Sequence, residues 1–220
     1  MSKQPRIFLI HATDVSITPI NEAFRSLWPE AQLMNLWDDS LSVDIAASGS
    51  LTDNLRRRIH DLASHAFAAD ADAVLYTCSA FTDAMDVCKR RYSKPVLKPN
   101  EAMVIEAVSM GSRIAALTTF APAVRPILDD FTDYASSVGK SIEVTPILCE
   151  GALQALKKGD AMEHNRIVRE TAAALSGYDV ICFAQFSMTQ AAGEVRKVFN
   201  GPVLTTPESA VMHLKELLTV

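Results

Sequence analysis

Sliding the 220-residue chain along itself by 107 positions brings its two halves into register without a gap, which restricts the fold to one that can be built twice. Arg6-Ile7 meets Arg113-Ile114, Asp72 meets Asp179, Thr82 meets Thr189, Pro95-Val96-Leu97 meets Pro202-Val203-Leu204, Glu101 meets Glu208 and Val104 meets Val211. The same shift sets Cys78, in AVLYTCSAFT, opposite Gln185, in VICFAQFSMT. A potential pair of thiols is thereby reduced to one.

Within each half, continuous apolar runs alternate with helical patterns. IFLIH, AVLYTCS and PVLK in the first half correspond to RIAALTT, VICFAQF and PVLT in the second, with a further strand around Ala31 to Trp37 and another in IEVTPIL. Short apolar runs separated by amphipathic helices predict parallel sheets covered on both faces. Thr52-Asp53 caps a helix running through Ala69, Gly111 and Gly139 close helices, and Pro95 and Pro202 open strands. The expected fold is α/β: two similar parallel-sheet lobes from an internal duplication, residues 1–106 and 107–220, with the active-site cleft between them. The C-terminal helix is free to pack back on the first lobe. The Ser/Gly-containing SVDIAASGSLTD is the longest loop expected, placed to cover a cleft.

A chain that is 49% apolar and 21% charged can bury one substantial core or two small ones. Its net charge of −5 offers no basic stripe, which argues against nucleic acid and anionic membranes as partners. No apolar run approaches the roughly 20 residues that span a bilayer, and MSKQPRIFLIHATD carries no signal-peptide pattern, so a cytoplasmic protein is expected. The four cysteines, Cys78, Cys88, Cys149 and Cys182, are too scattered for a disulfide framework and form no ligand cluster, so no structural metal is expected. Neither GxGxxG nor GxxxxGK[ST] occurs, so neither a dinucleotide nor a triphosphate is indicated.

Ligands of parallel α/β sheets bind at the carboxyl ends of strands. Those positions hold His11, Thr77, Cys78 and Ser79 in the first half and Thr118, Thr119, Gln185 and Ser187 in the second. Small hydroxyl side chains and helix-start amides suit an anionic oxygen such as a carboxylate.

Through TCSAFT, its counterpart AQFSMT and the intervening EGALQALKKGD, essentially the whole chain resembles the aspartate/glutamate/hydantoin racemase superfamily. That resemblance implies two α/β lobes, a site between them, no cofactor, and a homodimer or higher assembly. It also implies two cysteines on opposite walls acting as acid and base beside a carboxylate or carbonyl. Cys78 matches the first, and the second falls at Gln185, which cannot usefully carry a proton near neutral pH. The expected function is proton transfer at a carbon of a small acid, amino acid or hydantoin by a single cysteine. The alternatives are decarboxylation of substituted malonates, as in the similar arylmalonate decarboxylases, and binding of a small carboxylate without turnover. In those decarboxylases the retained cysteine resembles the second motif, so the analogy is mirrored.

Helix-start amides beside Cys78 would lower its pKa, whereas the plainer alternative makes it a small buried hydrophobe. His11 either supplies the missing acid/base or is a hydrogen-bonded structural histidine. The expected substrate-binding set is Thr77, Ser79, Thr118, Thr119, Gln185 and Ser187. Cys88, Cys149 and Cys182 are expected in the core, His60, His65, His164 and His213 on the surface or in satisfied packing, and Arg56, Arg57 and Arg58 on a solvated face.

Overall fold

The computed structural model describes residues 4–219 and divides the chain into two compact units. One contains the chain through Pro99 together with the stretch from Ala210 onward, and the other is Asn100–Ser209. Each unit is built on a four-stranded parallel sheet with flanking helices.

The first sheet has the order β2-β1-β3-β4, from β1 (Arg6–His11), β2 (Gln32–Trp37), β3 (Ala73–Tyr76) and β4 (Val96–Leu97). Its connecting helices are α1 (Ile17–Leu27), α2 (Ser40–Ser48), α3 (Asp53–Ala68) and α4 (Thr82–Arg91). After α5 (Glu101–Met110) the second sheet repeats that order, β6-β5-β7-β8, with β5 (Arg113–Thr118), β6 (Glu143–Leu148), β7 (Val180–Phe183) and β8 (Val203–Thr205). Around it run α6 (Val124–Ser137), α7 (Ala152–Lys157), α8 (Ala161–Ala173), α9 (Ala192–Val195) and the opening of α10 (Thr206–Thr219). Among the described residues no helix is long and apolar enough to cross a membrane.

The central strands are buried on both faces, which is why they read as unbroken apolar runs. In the second sheet Ala115, Leu117, Ile181 and Phe183 face one core while Ile114, Ala116, Val180 and Cys182 face the other, the alternation that a pleated strand imposes. Each sheet also begins on an aspartate. The Asp72 carboxylate accepts the Arg6 backbone N–H at 2.9 Å, and the Asp179 carboxylate accepts those of Ser112 and Arg113 at 2.9 and 2.8 Å.

Three of the four strand pairs keep the 107-residue offset, but the gapless register fails at the fourth. β2 begins at Gln32 and β6 at Glu143, a displacement four residues larger, recovered before β7. The helix between β1 and β2 has 11 residues, and its counterpart has 14. An insertion close to one 3.6-residue turn lengthens a helix without rotating its buried face, so the core tolerates it.

The second departure concerns SVDIAASGSLTD, which is not a loop: its first half lies in α2. Leu41 is fully buried, Ile45 packs one turn later, and Gly49 ends the helix at φ +66°, the left-handed conformation that glycine adopts without penalty. Arg58, expected on a solvated face, reaches from α3 to Asp38 (2.6 Å) and Asp44 (2.5 Å) and ties α2 down. Thr52 caps α3 by accepting the Leu55 N–H at 3.3 Å. The two tryptophans differ sharply: Trp28 is buried and stacks on Phe24, whereas Trp37, at the carboxyl end of β2, is 53% exposed.

Candidate active site

Because β1 and β3 are neighbours paired Ile10 to Tyr76, the chain leaving them sets His11 beside Thr77. His11 is fully buried and both ring nitrogens are occupied. Nε2 lies 2.9 Å from Asn35 Oδ1, while Nδ1 lies 2.9 Å from the Thr77 hydroxyl and 3.3 Å from that of Ser16. Donation to the Asn35 oxygen puts the proton on Nε2, so Nδ1 accepts from the nearer hydroxyl, that of Thr77, while Ser16 donates to the Thr13 carbonyl at 3.1 Å. Burial lowers the His11 pKa, outweighing the Asn35 hydrogen bond. The imidazole is therefore neutral and fixed, and it orients Thr77.

His164 on α8 is likewise fully buried and lowered by burial, with Nδ1 on Asn165 Oδ1 at 2.9 Å and Nε2 without a partner among the described residues. It is a packing histidine, though not a satisfied one. Lowered histidines bind protons in the unfolded chain first, so stability is complete above about pH 6.5 and declines as pH falls below it. Each contributes a slope of up to about 1.4 kcal/mol per pH unit until its folded-state pKa is passed. Urea unfolding at pH 7.5 and 5.5 measures the loss, and a His11→Gln variant should lose less between those two values than the parent.

Cys78 follows β3 in extended backbone (φ −133°, ψ 120°) and precedes a 3-10 turn, Ser79–Phe81, that leads into α4. It is partly exposed, yet with Ala12, Leu41, Tyr76, Phe81 and Met85 it lines a void of about 10 Å³, room for roughly one water. Burial among these groups pushes the thiol pKa up, and the Ala80 backbone N–H offsets only part of that. The expected depression is thus reversed: a single amide does not compensate for the apolar surroundings. The resting group is a neutral thiol. Ser79 starts the turn, its carbonyl accepting the Thr82 hydroxyl at 2.8 Å.

In the other unit, β5 and β7 pair Leu117 to Phe183, and Gln185 follows β7 in extended backbone. Its Oε1 accepts three hydrogen bonds, from Thr119 N–H at 2.6 Å, the Thr119 hydroxyl at 2.9 Å and the Thr118 hydroxyl at 3.0 Å. Thr118 and Thr119 are buried, and the Thr118 hydroxyl also bonds the Phe120 backbone, donating to its carbonyl and accepting its N–H, each at 3.3 Å. Ser187 lies half-buried in the 3-10 turn Phe186–Ala191. The strand ends of both units are thus stitched by one polar group, His11 on Thr77 in the first and Gln185 on Thr118 and Thr119 in the second.

Cys88, Cys149 and Cys182 are fully buried, as expected, and burial raises all three, Cys149 to about 11. A larger groove of about 740 Å³, lined by Asp160, Glu163, Arg166, Arg169 and Glu194 among others, contains none of the strand-end residues. Its arginines are engaged: Arg166 pairs with Glu163 and Glu170, and Arg169 with Glu170.

Sequence reasoning did not single out Ser16, Asn35 and Asn21 around His11. Asn21 and Asn35 bond one another at 3.1 and 3.3 Å across α1 and β2. The one signal for Asn35 is a polar residue two places before the end of β2, and it acquires meaning only once strand pairing is known.

The model of the Asp/Glu/Hydantoin racemase family matches residues 10–176, about three quarters of the chain and inclusive of Cys78. The chain belongs to that family. Among solved structures, a glutamate racemase isoform from Bacillus anthracis superposes with a TM-score of 0.72 at 12% identity, over 99% of this chain and 82% of that one. An allantoin racemase from Klebsiella pneumoniae gives 0.72 at 15% identity over 98% and 88%, and an aspartate racemase from Picrophilus torridus 0.70 at 11% over 98% and 94%. At such identities the likeness speaks for the fold. No curated protein matches in sequence. This racemase-family enzyme therefore carries the family's α/β architecture, and the family match ends before the segment that bears Gln185.

Proposed function

We propose that this racemase-family enzyme catalyses cofactor-independent proton transfer at the carbon next to a carboxylate or carbonyl of a small acid, amino acid or hydantoin. Cys78 is the one residue that moves the proton. The observation carrying this reading is a partly exposed thiol at the carboxyl end of a central strand, between Thr77 and Ser79, inside the family match. Thr77, Ser79, Thr118, Thr119, Gln185 and Ser187 are assigned to holding the substrate, the threonines through the groups they position. The working form is taken as a homodimer or higher assembly in the cytoplasm, following the family resemblance.

For isomerisation, Cys78 as the thiolate removes a proton from carbon, and water returns one to the opposite face. His11 is poorly suited to that second task, since both its nitrogens are engaged. A second reading gains support from the neutral thiol itself. Loss of carbon dioxide from a substituted malonate breaks a C–C bond and leaves the electron pair on an enediolate, with no base required. Cys78 then gives its S–H proton to carbon, and water restores the thiol.

Incubation in deuterated water with amino acids, hydantoins and substituted malonates separates the outcomes. Deuterium uptake with inversion supports racemisation, and carbon dioxide release with one deuterium retained supports decarboxylation. Equal behaviour of the wild type and Cys78→Ala across the panel, including ligand-induced stabilisation without chemistry, overturns the assigned role.

A further inference from the structure

We infer that Gln185 selects the substrate's charge: its side-chain NH₂ group, held outward, binds an anionic carboxylate oxygen. This deepens the function proposed above and rests on it for the identity of the site.

The two ends of an amide side chain are told apart by their partners. The Thr119 backbone N–H, 2.6 Å away, can only donate, so the Gln185 atom facing it must be the oxygen. The Thr119 hydroxyl donates to the same atom at 2.9 Å, and the Thr118 hydroxyl points its proton between that atom at 3.0 Å and the Phe120 carbonyl at 3.3 Å. Three donors on one oxygen fix the amide plane and leave Nε2 directed away from that cluster. Among the described residues, its two hydrogens meet no acceptor. Gln185 as a residue is only half-buried.

An amide whose oxygen accepts several hydrogen bonds is polarised, and its N–H groups become better donors. A group with two donors and no spare acceptor attracts a carboxylate and gives nothing to an ammonium or an amide N–H. Because the side chain is already held, little rotamer entropy is lost on binding. Thr118 and Thr119 then act through Gln185 instead of touching the ligand, which accounts for their burial. The position opposite the thiol in the duplication is thus not an emptied catalytic place: it holds a charge-selective donor.

The test uses the full-length ¹⁵N-labelled protein, with malonate as probe and malonamide as its uncharged counterpart. Malonate should shift both side-chain NH₂ proton resonances of Gln185, assigned by triple-resonance spectroscopy, and malonamide, whose carbonyl oxygens are neutral and weaker acceptors, should shift them far less. Gln185→Glu keeps an oxygen for the three donors while replacing NH₂ by a charged oxygen, and should weaken malonate binding at least tenfold. NH₂ resonances unmoved by malonate, or moved equally by malonamide, overturn the inference, and the wild-type titration needs no variant to fold. Unweakened malonate binding by a folded Gln185→Glu protein overturns it as well. The two proposals fail separately. Isotope exchange retained in Cys78→Ala defeats the proton-transfer reading and leaves the Gln185 result standing, whereas lost exchange with unmoved NH₂ resonances defeats only the inference.

Discussion

Cys78→Ser slows proton transfer by about 10³-fold or more, the upper part of the range for removing a positioned acid or base. Serine is close to cysteine in shape, so Thr77, Ser79 and the void beside Phe81 should be undisturbed and the melting temperature nearly unchanged. The loss is chemical: a hydroxyl is a far weaker acid than a thiol and a far scarcer anion. The pH dependence identifies the step. Burial raises the thiol pKa above its ordinary value of 9.0, so the S–H form persists through neutral and mildly alkaline solution. A reaction in which Cys78 acts as acid should hold its rate from about pH 6 to 9 and fall as pH rises through the raised pKa. A reaction that begins with the thiolate as base should climb over that same interval. Stopped assays at fixed ionic strength distinguish the two profiles, and a Cys78→Ser rate within threefold of wild type would end the assignment.

Gly111→Ala destabilises the second unit by about 3 kcal/mol, the upper end of what one inserted methyl group costs a packed site. The backbone at Gly111 is extended (φ −167°), so conformation gives no reason for glycine. Space does: a Cβ there would lie 2.3 Å from the Asp179 Cβ and 3.0 Å from its Oδ2. Asp179 cannot step aside cheaply, because its carboxylate holds the Ser112 and Arg113 N–H groups and its own N–H donates to the Arg113 carbonyl at 2.8 Å. The start of β5 must therefore shift with it. Urea midpoints should show roughly a hundredfold drop in the folding equilibrium. In an Asp179→Gly background the same glycine substitution should cost much less, since the Cβ 2.3 Å away and the carboxylate behind it are both gone. A midpoint unchanged in the parent background would refute the steric account.

How far the sequence carried the fold depended on where its identities fell. Arg6 and Arg113, Asp72 and Asp179, and Pro95 and Pro202 sit at the starts of strand pairs that keep their offset, and those strands were located from them. At this offset the one identity that touches β2 or β6 is Leu41 with Leu148, which sets a helix residue against a strand end, so the four-residue slide is not legible in the alignment of the halves. α2 was hidden by its composition, since Ser, Asp and Gly read as turn chemistry and only Leu41 and Ile45 carry the helical spacing. Within the candidate site, Cys78 and Gln185 were legible because the duplication sets them opposite one another. The roles of Ser16 and Asn35 were not, because both arise from pairing across β1, β2 and β3. The direction of the Cys78 shift was also out of reach. A start-of-helix amide is visible in sequence, but the apolar wall formed by residues as distant as Leu41 and Met85 is not.

The contrast between Trp28 and Trp37 gives this enzyme its own optical gauge. An indole sealed against Phe24 emits at shorter wavelength and escapes aqueous quenchers, while one standing in water at the tip of β2 emits to the red and is quenched at once. Since Trp37 pairs with His11 across the sheet, a solute settling near those strand tips would be reported by the red component alone, with no label attached.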